Sequence, residues 1–331
     1  MRKLPAPIVA IGVAVGLVAS LAACSSEPTS ANCSPRPSAG ESSDIIAATG
    51  DFGTKTDVTF PTPLVAKTTQ VTELKSGKGR VLTDGDFADF QATIWVAATG
   101  EYLTGTTFDK TQPSRMDVGV DTDQLGPLLE CASVGSRIAG VSTLKQLFPS
   151  VDPTQAGLDE NANLVVVVDV TGGFTGRATG VEQLPKAGLP SVVTAPDGTP
   201  GVTVPSSAAP TKLESAVLKQ GDGAVVKEGD YVTFHYEGLI WGPPASVFDS
   251  SWADKAPTTT VAQAYDESSK AGVFPGTDKA IIGQKVGSQV IVIVPADKSY
   301  TSADGAAAPD SVAEGSTRIY VIDILSTQAL S

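Results

Sequence analysis

Apolar positions along this chain fall into short blocks, and few recur at the three-to-four spacing of an amphipathic helix. The first block, Ile8 to Ala22, is one continuous apolar run behind Arg2 and Lys3. Later blocks are short and rich in Val, Ile and Thr: Val165–Val168, Gln289–Val294 and Arg318–Leu325. Gly, Pro and Asp punctuate them, which is the pattern of strands separated by turns. The pattern predicts a β-dominated molecule with one short helix per domain. Some 300 residues after the first block exceed what one core usually serves, so two domains are expected.

The blocks also repeat in order, about 150 residues apart, a period that fits tandem domains rather than a solenoid. Asp51-Phe52-Gly53-Thr54 leading to Val58-Thr59-Phe60-Pro61 parallels Asp197-Gly198-Thr199 leading to Val202-Thr203-Val204-Pro205. Leu74–Gly79 parallels Leu218–Gly223, and Thr107-Phe108-Asp109 parallels Val247-Phe248-Asp249. Val134–Ile138 parallels Val286–Val290, and Val168-Asp169-Val170 parallels Ile322-Asp323-Ile324. The Gly-rich stretch between the copies reads as a linker.

The N-terminal block reads as a secretory signal peptide rather than a spanning helix. Its end, Leu21-Ala22-Ala23-Cys24, resembles the lipobox of bacterial lipoproteins, which implies lipidation of Cys24; the alternative is an ordinary signal peptide that happens to hold a Cys. The Ser- and Pro-rich residues that follow suit a flexible tether. Formal net charge is −13, and losing Arg2 and Lys3 with the signal peptide takes it to −15, a poor match for nucleic acid. Cys33 and Cys131 then remain as a disulfide candidate, with two free thiols as the alternative. No Cys/His cluster suggests a metal.

Residues 218–326 carry Gly221-Asp222-Gly223, Val232-Thr233-Phe234-His235-Tyr236-Glu237-Gly238, Phe248-Asp249-Ser250-Ser251, Val273-Phe274-Pro275-Gly276 and Ile282–Gly287, closing on Ile319–Leu325. This ordered set resembles the FKBP-type peptidyl-prolyl cis–trans isomerases. The resemblance implies an α+β fold of two tandem FKBP-like domains, each a curved antiparallel sheet wrapped around a short helix. The boundaries expected are 1–23 signal peptide, 24–44 tether, 45–172 a degenerate first domain, 173–189 linker and 190–331 the isomerase domain. Rotation about an Xaa-Pro bond meets a barrier of roughly 18–20 kcal/mol from amide resonance, and lowering it needs neither nucleophile, metal nor cofactor.

Carried over residue by residue, the resemblance makes Tyr236, Asp249 and Tyr300 the catalytic set. Phe248, Val273, Phe274, Thr277, Val312 and Tyr320 fall on the substrate-binding positions. Three departures weaken the pocket: Asp254 where the family often has an Arg that pairs with the Asp, Thr258 for a Phe, and Thr277 for the floor tryptophan. A shallower, more polar pocket follows, with weak activity and poor binding of macrolide inhibitors. The first copy looks more degenerate, with Thr93-Ile94 or Ile94-Trp95 opposite His235-Tyr236, Phe148 opposite Tyr300, Val166 opposite Tyr320, and Phe108-Asp109 retained. His235, the one histidine of the chain, should point to the outward side of its strand, which leaves no base for a hydrolase. The expected partners are proline-containing unfolded or exported polypeptides and a membrane reached through the lipid anchor, with the protein acting as a monomer. A non-catalytic peptide- or partner-binding lipoprotein is the competing reading.

Overall fold

The computed structural model describes residues 37–109, 113–119, 125–266, 268–269, 271–298 and 315–330. The signal peptide, Cys24, Cys33, Tyr300 and Val312 lie outside them. A short helix α1 (Glu41–Asp44) precedes a hairpin of β1 (Ala47–Thr49) and β2 (Asp57–Thr59). The first sheet comprises β3 (Gln70–Lys75), β4 (Asp86–Val96), β5 (Tyr102–Gly105), β6 (Ser114–Asp117), β7 (Arg137–Thr143) and β8 (Asn163–Thr175), with α2 (Gly126–Leu129) and α3 (Leu144–Leu147) between strands. Then come β9 (Val181–Glu182), a second hairpin of β10 (Ser191–Thr194) and β11 (Pro200–Thr203), and β12 (Glu214–Gln220). β13 (Tyr231–Ile240), β14 (Ser246–Ser250), β15 (Thr258–Val261), α4 (Asp278–Ile281), β16 (Gln289–Val294) and β17 (Arg318–Gln328) complete the second sheet.

Strand order is β3-β7-β8-β4-β5 in the first sheet and β14-β13-β17-β16-β12-β9 in the second, all antiparallel. Off these paths, β6 pairs β4 and β15 pairs β13. Apart from β9, which has no counterpart in the first sheet, the two sheets share one strand order. The helices are single turns of four residues. Turns that short cannot nucleate alone and are held by burial of Leu128 and Leu129, or of Ala280 and Ile281. The architecture is therefore mostly β, with less helix than the α+β expectation implied.

Each sheet is covered on both faces. On one face α2 or α4 sits over a core of Phe90, Ile138, Val166 and Val168, or of Phe234, Val290, Val292 and Ile322. On the other, the β1–β2 hairpin covers Val141, Val165 and Val167, and the β10–β11 hairpin covers Ile291, Ile293, Ile319 and Val321. Two-sided burial explains why these strands read as unbroken apolar runs rather than as alternation.

Residues 37–44, the described part of the stretch expected as tether, and the stretch expected as linker both pack on the sheets. Val71 donates to the Ser38 carbonyl (3.1 Å) and α1 packs on β3, with the Ser42 amide on Gln70 Oε1 at 2.9 Å. β8 continues to Thr175, Ala178 donates to Asp323 (2.7 Å), and β9 pairs β12. The halves meet where Phe87 and Phe174, stacked at 5.6 Å, pack with Leu325. Arg115 grips Asp89 (2.7 and 3.1 Å) and reaches Thr259 in the second sheet (2.7 Å).

Candidate active site

β13 turns Phe234 and Tyr236 toward α4, and alternation turns His235 and Glu237 the other way. On the α4 face the Tyr236 hydroxyl donates to Asp249 Oδ2 at 2.6 Å. Asp249 comes from the neighbouring strand, where it lies opposite Gly238. Gly238 has to lack a side chain, since a Cβ there would sit 2.7 Å from the Phe248 ring. Phe248 meets Tyr320 edge-on at 6.0 Å, and the fully buried Arg318 places its guanidinium 5.7 Å from the Phe248 ring centre. Val273 is buried and its amide donates to the Gln263 carbonyl at 3.0 Å.

Phe274 joins these residues. Its ring lies parallel to Tyr320 (4.9 Å, 8°) and edge-on to Tyr236 (4.6 Å) and Phe234 (5.9 Å). Tyr320 and Phe234 are each 1 % exposed and Tyr236 8 %, while Phe274 stays half-buried, so its ring caps the stack. Thr277 does not face the cup. It is fully buried at the start of α4, and its hydroxyl donates back to the Phe274 carbonyl at 2.8 Å. The aromatic ring nearest in sequence on that side is that of Phe274, stacked on Tyr320. Thr258 pairs with Phe234 at the start of β15, and Asp254 lies in the turn after β14.

The face behind β13, the outward side expected for the histidine, is itself buried. His235 does point away from the cup, but it is 3 % exposed. Its ring stacks on Trp252 at 4.1 Å and meets Phe87 of the first sheet at 5.9 Å. Nδ1 lies 2.8 Å from the Ser251 hydroxyl, which also accepts from the Tyr236 amide at 2.8 Å. Burial alone pulls the imidazole down to about 4, so it is neutral at physiological pH. Asp323, directly across on β17, is pushed up to about 6 by burial, against the opposing pull of the Ala178 amide and the Gln289 side chain. Burial likewise raises Glu237, opposed by the Ser250 hydroxyl.

Pairing registers settle the comparison with the first sheet. Gln91 faces Asp169 as His235 faces Asp323, so Gln91-Ala92 stands where His235-Tyr236 stands, not Thr93-Ile94 or Ile94-Trp95. Ala92 N–H donates to the Thr106 hydroxyl (3.1 Å) as Tyr236 N–H donates to that of Ser251, which aligns Thr104 with Asp249. Phe108-Asp109 is therefore five residues out of step, and neither member of the Tyr–Asp pair survives. Phe148 lines a cleft of about 420 Å³ there with Phe90, Ala92, Ile94 and Met116. Asp169 is held by a bidentate Arg137 (2.6 and 2.8 Å), whereas Asp323 is met by two neutral donors, the Gln289 side chain and the Ala178 amide. Cys131 takes a left-handed backbone (φ 63°) at the position of Gly283 (φ 89°), just after α2; its expected partner Cys33 lies outside the described residues.

Ser251, Trp252 and the ring of Phe274 are the site residues that sequence reasoning did not single out in these roles. A hydroxyl recurring at 106 and 251 was the available signal. Among the described residues, no three His, Cys, Asp or Glu side chains converge as a metal site.

The profile of the family described as FKBP-type peptidyl-prolyl cis-trans isomerase matches residues 223–325. An FK506-binding protein of Streptomyces anulatus is 31% identical over 127 residues, covering 38% of this chain and 95% of that protein. A probable FK506-binding protein of Corynebacterium glutamicum is 29% identical over 127 residues, 38% of this chain and 97% of its own length. The crystal structure of FkpA from Escherichia coli aligns with 44% of this chain and 53% of that one at 21% identity; its TM-score of 0.30 is too low to carry weight. Through the second sheet, this chain belongs to the FKBP-type peptidyl-prolyl cis-trans isomerases.

Proposed function

We propose that the second sheet isomerises prolyl bonds in unfolded or exported polypeptides, and that the protein works as a monomer outside the cell membrane, anchored through a lipidated Cys24. The observation that carries the catalytic reading is the Tyr236–Asp249 hydrogen bond at the edge of the Phe234–Phe274–Tyr320 stack. A planar amide owes its rigidity to charge separation between oxygen and nitrogen, and apolar rings disfavour that separation. The twisted amide, with charge returned to nitrogen, loses less on entering the cup. Tyr236 fixes the Asp249 carboxylate beside it, next to where the resemblance places the substrate carbonyl carbon. Val273 and Phe274 supply wall and floor, and Tyr300 and Val312 retain the donor and wall roles that the resemblance gives them. Support for export is the charged, then apolar, then Leu-Ala-Ala-Cys N-terminus. The test is catalysed cis–trans exchange of a proline tetrapeptide by the full chain. Exchange at the uncatalysed rate rejects the reading.

The first sheet favours holding over catalysis. Ala92 and Thr104 replace the Tyr–Asp pair, yet the cleft behind them remains open at about 420 Å³.

A further inference from the structure

We propose that the first sheet buttresses the active site of the second, with His235 as the positioning residue through which the contact acts on Tyr236. This rests on the isomerase reading and adds to it a role for the half that lacks the Tyr–Asp pair.

The contacts form an unbroken series. Tyr236 and Asp249 sit on adjacent strands whose register shifts at Gly238/Leu239, so ladder pairing alone does not fix their separation. Ser251 fixes it from the other end. Its amide donates to the Tyr236 carbonyl (3.1 Å) and its hydroxyl accepts from the Tyr236 amide (2.8 Å). That hydroxyl is oriented by His235 Nδ1 at 2.8 Å. The imidazole in turn stacks on Trp252 and meets Phe87, and Phe87 belongs to the first sheet. Phe87 is held by the parallel ring of Phe174, over which the Arg115 guanidinium sits at 4.7 Å. Arg115 is itself fixed by Asp89 on its own sheet and Thr259 on the other. Removing the Phe87 ring opens one side of the imidazole to water and frees the Ser251 hydroxyl to turn.

The first sheet performs the same task with a different side chain. Gln91 Oε1, at the position of His235, accepts from the Thr106 hydroxyl and from the Phe108 amide (3.1 Å). The parallel with Gln91 assigns position 235 the role of acceptor for the Ser251 hydroxyl, not that of a titrating group. Glutamine should therefore replace histidine there, and alanine should not.

The experiment uses the full chain with Phe87→Ala, Phe87→Leu, His235→Ala and His235→Gln, assayed for proline-tetrapeptide exchange well below each melting temperature. Expected are losses in kcat/KM of about tenfold for Phe87→Ala and His235→Ala, carried by kcat, with His235→Gln within about twofold of native. The single histidine gives an imidazole signal free of overlap, whose titration midpoint should rise from about 4 toward 6.5 in Phe87→Ala. Should that variant fold poorly, Phe87→Leu is expected to show the same shift in smaller measure. Lowered melting temperatures with unchanged kcat/KM overturn the proposal, as does His235→Gln failing as badly as His235→Ala. If the native chain shows no exchange, the isomerase reading falls instead. The buttress is then judged by the imidazole midpoint and the Tyr236 amide resonance, and it falls too if neither moves in Phe87→Ala.

Discussion

His235 and Asp323 face each other across β13 and β17, and folding perturbs them in opposite senses. The imidazole, ordinarily near 6.5, titrates at about 4 in the folded chain, and the carboxyl, ordinarily near 3.8, at about 6. Between these limits the unfolded chain carries imidazolium and carboxylate, while the folded chain holds both groups neutral. Stability from His235 is therefore lost as pH falls from 6.5 to 4, by about 3 kcal/mol. Stability from Asp323 is lost as pH rises from 3.8 to 6, also by about 3 kcal/mol. Proton uptake on folding nearly cancels, so this pair should contribute almost no pH dependence to the native protein. Other groups facing the pair are Gln289, the Ala178 amide, and the more distant Lys219 and Arg177, whose charges pull Asp323 down. His235→Gln removes one side of the balance, and relative to native the protein should lose about 3 kcal/mol between pH 4 and 6.5. Asp323→Asn should show the opposite slope. Thermal melts across pH 4–7 read this as relative shifts of roughly 6–12 °C in opposing directions. Parallel pH profiles for native and both variants would refute the reasoning.

Three further outcomes are expected. Tyr236→Phe leaves the ring stack in place and removes the 2.6 Å bond to Asp249, so prolyl-exchange kcat/KM should drop roughly tenfold while denaturant stability changes by no more than about 1.5 kcal/mol. Arg137→Met leaves Asp169 buried without its cation and should cost about 3–5 kcal/mol in urea unfolding, the first half losing most. Thr277→Trp, meant to restore a floor tryptophan, should instead destabilise by about 1–3 kcal/mol, since position 277 is fully buried beneath the Phe274 backbone; a raised melting temperature would contradict that placement.

Much of the second sheet was legible because its signals are local. Tyr236, Phe248, Asp249, Val273, Phe274 and Tyr320, read from motifs, converge in one cup. What escaped were substitutions answered elsewhere in the chain. Thr277 reads as an exposed floor position, yet it is fully buried with its hydroxyl on the Phe274 carbonyl, and no spacing rule announces that. Phe108-Asp109 matched by identity, yet the Ala92 amide donating to the Thr106 hydroxyl puts Thr104 at that place, a strand register that residue identity alone does not record. The burial of His235 was also beyond sequence reading. Strand alternation gave its direction correctly, but an outward face is exposed only when nothing packs on it, and Phe87 arrives from a strand some 150 positions earlier.

The hairpins behind the sheets bear on how this protein should be divided. The stretch matching the family begins at 223, but Ile291, Ile293, Ile319, Val321 and Leu239 are covered by Leu189, Val192, Val202 and Val204, all upstream of it. A fragment cut at the family boundary would expose that row of aliphatic side chains on a twisted sheet, a surface that invites self-association. Such a fragment could precipitate or dimerise while its aromatic cup remained intact. The smallest autonomous unit therefore starts before β10, some thirty residues ahead of the recognisable motif. Binding or activity data from shorter pieces would report on the cut as much as on the site.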